Sequence, residues 1–316
     1  MKELKLKIAG VGISIEWEGS RIIDWPHPSY QDFVFDGKAD LNLRVHCGHF
    51  PEYSRGEVIF DGEREGYWKL CRGNSRHIIE VYDTISHKKS KVCLIEPDFS
   101  GGDVYIKHEL ERMRWPRRKR SKAAFWSLPW LMQPLAELLL VNLLAKEEGI
   151  MVHGLGINDR GTGIAFSGGT GTGKSTLAEF YKSEEGANIL CDEHIVIRKE
   201  KEGFRLYGTP WPGMAAAASS ESAPLKRVFF IEHAPANKIL GRGTLSDLLP
   251  MLFLPFWDRE RMELILKFCE ELLGKIECKK LGFVKNRSVI DFVRGGEKDE
   301  EEKIHNARYR KGGVKA

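Results

Sequence analysis

The feature that most constrains this chain is a glycine-rich segment near its centre, Ser-Gly-Gly-Thr-Gly-Thr-Gly-Lys-Ser-Thr at residues 167–176. Within it, residues 168–175 match the phosphate-loop pattern G-x-x-x-x-G-K-S/T at every position. Glycines let successive backbone N–H groups turn toward a phosphate, where side chains would obstruct the approach. The segment therefore predicts a site for the phosphates of a nucleoside triphosphate.

Each position of this loop has an expected role. Lys174 would place a cation on the outer phosphates, and the Ser175 hydroxyl would hold Mg²⁺, so we expect ATP and Mg²⁺ as cofactors. The helix that follows would point its positive N-terminus at the same anion. The expected nucleotide contacts are Gly168, Gly169, Thr170, Gly171, Thr172, Gly173, Lys174, Ser175 and Thr176.

The flanking segments supply the context that the motif needs. Residues 163–167 are typical of a buried strand and residues 175–182 of a helix, which gives the required order of strand, loop and helix. A second strand at 150–157 and a tight turn at 158–161 precede them, so the phosphate-loop strand is predicted to be the second arm of a hairpin. This hairpin would lay His153 beside the phosphate loop.

Two acids follow soon after the loop. An apolar strand at 188–191 runs into Asp192 and Glu193, which lie 18 and 19 residues after Lys174. A carboxylate at the end of a strand beside a phosphate loop is typical of a Mg²⁺ site. The alternatives are a turn with two exposed acids, or a metal-binding role for Glu232 at the end of the strand at 225–232.

The length of 316 residues leaves room for two domains, and the predicted fold class is α+β or α/β. Alternating apolar and polar residues make 1–110 a β-rich N-terminal domain, either an antiparallel sheet or a small sandwich. Residues 111–129 form a basic linker, 130–295 the phosphate-loop domain and 296–316 a charged, disordered tail.

Several further elements are predicted in the phosphate-loop domain. The apolar helix at 134–146 should be buried between layers. A second hairpin is expected at 194–207, a mobile loop over the site at 215–223, two amphipathic helices within 244–274, and closing strands at 281–284 and 288–293.

Charge and hydropathy limit the partners. The net charge is only +4, but seven of the eleven residues from Arg112 to Lys122 are basic. This stretch is either a solvated interdomain loop or a docking surface for an acidic peptide or another anionic partner. We expect no nucleic-acid partner, because no recognised binding module accompanies the stretch. We also expect no membrane span and no signal peptide, and therefore a cytoplasmic protein.

Together, His153-Gly154, the hairpin, the phosphate loop, the short helix and Asp192-Glu193 resemble the HPr kinase/phosphorylase family, a relative of the phosphoenolpyruvate carboxykinase fold. In that family a His precedes the phosphate-loop Lys by the same 21 positions that separate His153 from Lys174. The resemblance covers about residues 130–295. The helix at 134–146 and the segment at 224–231 look more like the stand-alone branch found beside peptide natural-product genes.

The resemblance implies an HPr kinase-like domain and a kinase that phosphorylates a Ser or Thr hydroxyl of a peptide or small protein. It implies catalytic roles for Lys174, Asp192, Glu193 and His153, with Ser175 and Asp192 on Mg²⁺ and positive charge from His153. The family pair is usually Asp-Asp, so the pair in this chain leaves open which acid is the base and which binds the metal. The family's segment for the phosphorylase reaction is not found, so the resemblance implies kinase chemistry only.

Two other functions remain open. A nucleotide-dependent peptide-binding scaffold without transfer is suggested by Glu193 in place of Asp. A small-molecule kinase is argued against by the β-rich N-terminal domain and the basic stretch, since a small substrate needs no docking platform. The acceptor, the identity of the triphosphate and the formation of a homo-oligomer are also left open.

Overall fold

The chain folds into a mixed α/β protein with two large mixed sheets. The computed structural model describes residues 1–18, 22–24, 28–62, 67–83, 86–107, 126–127, 132–146 and 148–296. The strands are β1 (Lys2–Ile8), β2 (Val11–Trp17), β3 (Ile22–Asp24), β4 (Leu41–Gly48), β5 (Glu57–Asp61), β6 (Trp68–Arg72), β7 (His77–Tyr82), β8 (Lys89–Ile95), β9 (Gly101–Lys107), β10 (Trp126–Ser127), β11 (Gly149–Asp159), β12 (Thr162–Ser167), β13 (Ala187–Cys191), β14 (His194–Glu200), β15 (Gly203–Tyr207), β16 (Ser222–His233), β17 (Lys238–Arg242) and β18 (Glu277–Phe283).

The described helices are fewer and mostly shorter. They are α1 (Pro28–Gln31), α2 (Leu135–Lys146), α3 (Lys174–Tyr181), α4 (Leu245–Leu248), α5 (Arg259–Lys275) and α6 (Ser288–Asp291), with a 3-10 turn at Leu249–Met251 and a π-type turn at Phe292–Gly296. Of the two amphipathic helices predicted within 244–274, only α5 is long. The predicted strand at 288–293 is wrong, because this segment is helical and buries Val289, Ile290 and Val293 on one side.

The first sheet contains the β-rich N-terminal part of the chain. Its strand order is β1-β2-β4-β9-β8-β7-β6-β5. The pairs β2–β4 and β4–β9 are parallel and the others are antiparallel. The predicted β-rich region is therefore confirmed, but it is a single mixed sheet, neither wholly antiparallel nor a sandwich. The two crossovers that enter and leave β4 explain the difference, since parallel neighbours need a long connection.

The second sheet carries the phosphate loop. The predicted hairpin is confirmed: β11 and β12 pair antiparallel from Gly154↔Ser167 to Asp159↔Thr162. Strand β12 also pairs parallel with β16, and β16 pairs parallel with β18. The carboxyl ends of these three strands therefore lie at one edge, which is where open α/β sheets bind ligands. The second hairpin, β14–β15, is also as predicted.

Helices cover both faces of the second sheet. On one face, α5 buries Phe268 and Leu272 in a cluster with Leu190 and Leu206. On the other, α3 buries Leu177 and Tyr181 against β12 and β16. The helix α3 follows the phosphate loop directly, so this packing fixes the position of the loop relative to the strands.

The two sheets share a hydrophobic core. The helix α2 lies within it, as the apolar sequence of α2 predicts: Leu139 and Leu140 are buried in one cluster with β1 and β2 of the first sheet and Val196 of the second. Polar contacts join the same regions. Arg198 Nη1 donates to the carbonyl of Ala9 at 2.7 Å, and Trp211 Nε1 donates to the Tyr30 hydroxyl at 2.9 Å.

Three sequence-based predictions fall outside the described residues: the basic stretch from Arg112 to Lys122, most of the linker at 111–129, and the tail from residue 297 onward. Among the helices that the structure does describe, none combines the length and apolar character needed to cross a membrane.

Candidate functional site

The hairpin positions His153 at the start of the phosphate loop. Ser167 is the last residue of β12, and its Oγ donates to the carbonyl of His153 at 2.9 Å. One residue further on, the N–H of Gly154 donates to the carbonyl of Glu193 at 2.9 Å. These two hydrogen bonds connect the start of the phosphate loop to the strand that carries His153, and that strand to the turn that carries Glu193.

The phosphate loop adopts a conformation that requires glycine at two positions. Gly171 has φ +81° and Gly173 has φ +109°, in the left-handed region that glycine adopts without steric cost. At Gly173 space is also short, because an added Cβ would lie 2.6 Å from Cζ of Phe283. Thr172 closes the turn, since its Oγ1 donates to the carbonyl of Gly169 at 2.8 Å.

Lys174 turns back over this loop. Its Nζ donates to the carbonyls of Gly168 at 2.6 Å and Gly169 at 3.2 Å, and the residue is only 8% exposed. Burial lowers the pKa of Lys174, while the charge of Glu193 raises it. A buried ammonium whose bonded partners are neutral carbonyls keeps its positive charge available to an anion. The next two residues, Ser175 and Thr176, lie on the first turn of α3, exposed and half-buried respectively.

Glu193 is the acid whose charge raises the pKa of Lys174. Its Oε1 lies 3.3 Å from Nδ1 of His153. Burial lowers the pKa of His153, the charge of Lys174 lowers it further, and Glu193 opposes both effects. A pKa below 6.5 favours the neutral ring at pH 7. His153 thus lies beside Glu193 in surroundings that lower its pKa.

The carboxylate of Asp192 contacts the loop between β15 and β16. The residue is 2% exposed, and its carboxylate accepts hydrogen bonds from three backbone N–H groups: Gly213 at 2.9 Å, Ala215 at 2.7 Å and Ala217 at 3.2 Å. An added Cβ at Gly213 would lie 2.7 Å from Oε2 of Glu193 and 3.0 Å from Oδ2 of Asp192. The segment expected to be a loop over the site is therefore anchored on the acidic pair.

A half-buried pair of side chains lies next to His153. His194 is the register partner of His153 in the β11–β14 ladder, and its Nδ1 lies 3.6 Å from Oε1 of Glu137 on α2. Burial raises the pKa of Glu137 to about 7, with Lys91 lowering it and Glu193 raising it. Burial, reinforced by His153, lowers the pKa of His194 to about 4. Both groups are thus predominantly uncharged in the weakly acidic range.

Two different sets of side chains are candidates for holding a metal ion. The set predicted from the sequence is Ser175 with Asp192, and the Asp192 oxygens are occupied by loop amides. The second set emerges from the fold: His153, Glu193 and His194 each offer one ligand atom, and these atoms lie within 4.8 Å of one another. Imidazole and carboxylate groups are common metal ligands.

Sequence reasoning missed Glu137, His194 and His233. The helix at 134–146 was predicted, but no pattern links Glu137 to a strand more than 50 residues away. His194 follows the acidic pair directly, and its inward direction depends on the strand register. His233 stands beside Glu232 at the end of β16, and its Nε2 lies 2.9 Å from the carbonyl of Gly171. Glu232, the alternative acid, is exposed.

A comparison of the chain with protein-family models gives no match, and no curated protein matches it either. The description of the site therefore rests on the geometry given above.

Proposed function

We propose that this protein is a Mg²⁺-ATP-dependent kinase that transfers the γ-phosphate to a Ser or Thr hydroxyl of a peptide or small protein. One observation carries the proposal. The buried ammonium of Lys174 lies on the phosphate loop, and the charge of Glu193, paired with His153, acts on it. Phosphoryl transfer uses two such groups: a cation that binds the phosphates and a carboxylate that accepts a proton.

The loop suits the phosphates of a nucleotide. An added Cβ at Gly169 or Gly171 would meet no atom within 4 Å, so the backbone there is open to close approach by a ligand. The N-terminus of α3 adds the positive end of its dipole at the same place. Lys174 supplies the charge that stabilises the phosphoryl group during transfer.

The general base of the reaction is Glu193. ATP with Mg²⁺ would supply the phosphoryl group. Glu193 would accept the proton from the attacking hydroxyl, so that the O–H bond breaks as the new O–P bond forms. The bond between the γ-phosphorus and the β,γ-bridging oxygen of ATP breaks at the same time, and ADP leaves. His153 holds the carboxylate in place from 3.3 Å. In phosphoryl transfer, positioning and charge stabilisation account for most of the catalysis, so this small set of groups suffices.

The metal requires a further assignment. Ser175 is exposed on the first turn of α3, where a hydroxyl can reach a cation bound to phosphates. For Asp192 to join it, the carboxylate would have to exchange loop amides for the metal. Because both oxygens of Asp192 accept loop amides, we assign Asp192 first to the loop at 213–217, and Mg²⁺ to Ser175.

A transfer assay tests the proposal. The full chain is incubated with Mg²⁺, ATP labelled with ³²P at the γ-phosphate, and a synthetic library of Ser- and Thr-containing peptides. Labelled peptide is expected from the wild type and none from Lys174→Met, which keeps the apolar stem but removes the charge. Retention of full transfer by Lys174→Met would refute the role of the loop.

The engagement of Asp192 by three loop amides also favours a second candidate, a scaffold that binds nucleotide and peptide without transfer. The same assay distinguishes the two functions. Saturable MgATP binding with no labelled product from any library peptide would favour the scaffold, whereas labelled product favours the kinase.

A further inference from the structure

His233 lies at the phosphate loop without belonging to the motif. It is the last residue of β16, the strand that runs parallel to the phosphate-loop strand β12. His233 is also the register partner of Phe283 in β18, and the centroids of the two rings lie 5.7 Å apart. The loop, the histidine and the phenylalanine thus meet at the same edge of the sheet.

The contact with the loop has a defined direction. Nε2 of His233 lies 2.9 Å from the carbonyl oxygen of Gly171. A carbonyl only accepts, so the ring nitrogen is the donor. The same ring borders the loop a second time, because an added Cβ at Gly173 would lie 3.3 Å from Cε1 of His233.

The residue that His233 holds is a glycine in open space. Gly171 has φ +81°, and an added Cβ there would meet nothing within 4 Å. Glycine in open space samples many backbone conformations, and a ligand that needs one of them must bear the entropy of ordering it. A hydrogen bond from outside the loop reduces that cost before the ligand arrives.

We propose that His233 is a positioning residue of the phosphate loop, which acts by donating from Nε2 to the carbonyl of Gly171. It tightens binding of the triphosphate by holding the Gly171–Thr172 peptide in place. The consequence for ATP rests on the proposed function, whereas the effect on the loop does not. His233 is exposed, so it contributes little to the core.

Three variants of the full chain test the proposal. His233→Leu removes the donor, His233→Gln retains a side-chain N–H, and His49→Leu makes the same change at an exposed histidine in the N-terminal part of the chain. Two quantities are measured: amide hydrogen exchange of peptides covering residues 168–173 without nucleotide, and the Kd for MgATP by calorimetry.

We expect His233→Leu to exchange roughly 3- to 10-fold faster in the loop and to bind MgATP roughly 3- to 10-fold more weakly, the factor that one net hydrogen bond supplies. His233→Gln should recover most of both losses, and His49→Leu should match the wild type. Wild-type exchange in His233→Leu, or equal losses in the Leu and Gln variants, would overturn the proposal. A wild type that fails to bind MgATP would instead contradict the proposed function, and the exchange data would still decide the role of His233.

Discussion

Nδ1 of His153 lies 3.3 Å from Oε1 of Glu193, although forty positions separate the two residues in the chain. The pairing follows from the fold, because β11 carries His153 and the turn between β13 and β14 carries Glu193. The same two segments are also joined through the backbone, because the N–H of Gly154 donates to the carbonyl of Glu193. Of the two adjacent acids, Glu193 is therefore the one that pairs with His153, and its charge also raises the pKa of Lys174 in the phosphate loop.

Replacing Glu193 by Gln should abolish most phosphoryl transfer while leaving nucleotide binding nearly intact. The amide keeps the shape of the side chain but accepts no proton, and loss of a general base costs about 10²- to 10⁴-fold in rate. The measurement is the rate of labelled peptide formation, with the Kd for MgATP determined in parallel. The matched control is Glu179→Gln on the exposed side of α3. Unchanged transfer by Glu193→Gln would remove Glu193 from the mechanism.

Replacing Asp192 by Asn should loosen the loop at 213–217. The carboxylate accepts three amide hydrogen bonds, whereas Asn has one acceptor oxygen and an NH₂ group that would face a backbone N–H. Leaving buried donors unsatisfied should lower the free energy of unfolding by about 1–3 kcal/mol. Urea denaturation measures this, and amide exchange at residues 213–217 should accelerate. Wild-type stability together with loss of Mg²⁺-dependent ATP binding would point instead to a metal-binding role.

Much of the site could be predicted because it is encoded locally. The turn at 158–161 lies between two apolar runs, and it predicts the hairpin that delivers His153 to the loop. The loop itself follows from glycines at positions where the observed φ is positive, Gly171 and Gly173. The division of roles between Asp192 and Glu193 could not be predicted, because it depends on loop amides that lie more than 20 residues further along the chain.

The two wrong predictions, the strand at 288–293 and the wholly antiparallel sheet or sandwich, also fail because they depend on contacts that are distant in sequence. Residues 288–293 are rich in Val, Ile and Phe, as a strand is, but Val289 and Val293 are also four residues apart, as on one face of a helix. Packing against the core with Val289 and Val293 inward selects the helical turn. In the N-terminal part, alternation predicted strands correctly, but it carries no information on whether neighbours run parallel, so the mixed sheet was not foreseen.

Stability should depend on pH through Glu137. Burial raises its pKa from 4.5 to about 7 in the folded protein, so its contribution to stability is full below pH 4.5 and is lost as the pH rises through 7. Between pH 4.5 and pH 7, the free energy of unfolding of the wild type should fall by roughly 3 kcal/mol relative to that of Glu137→Gln. His194 acts in the opposite direction, because its pKa is lowered to about 4. Denaturation of both proteins from pH 4 to 8 measures the difference. Parallel curves would contradict the raised pKa of Glu137.

The first sheet and the phosphate-loop part should unfold together. They share one hydrophobic cluster, and the buried hydroxyl of Tyr30 accepts from Trp211 Nε1, which lies in the loop that anchors on Asp192. Tyr30→Phe leaves a buried N–H without that acceptor and should lower the free energy of unfolding by about 1–3 kcal/mol. Scanning calorimetry should show one transition, shifted to lower temperature in the variant. Two separate transitions, with only one shifted, would show that the parts fold independently.

The most direct test of the account is a calorimetric titration of MgATP into the wild type and into Lys174→Met. We expect saturable binding at one site per chain in the wild type. We also expect the affinity of the variant to be at least about 10-fold weaker, since a buried charged hydrogen bond to phosphate is worth about 1.5–3 kcal/mol. Absence of saturable binding in the wild type, or equal affinity in the two proteins, would contradict the claim that this loop holds a triphosphate.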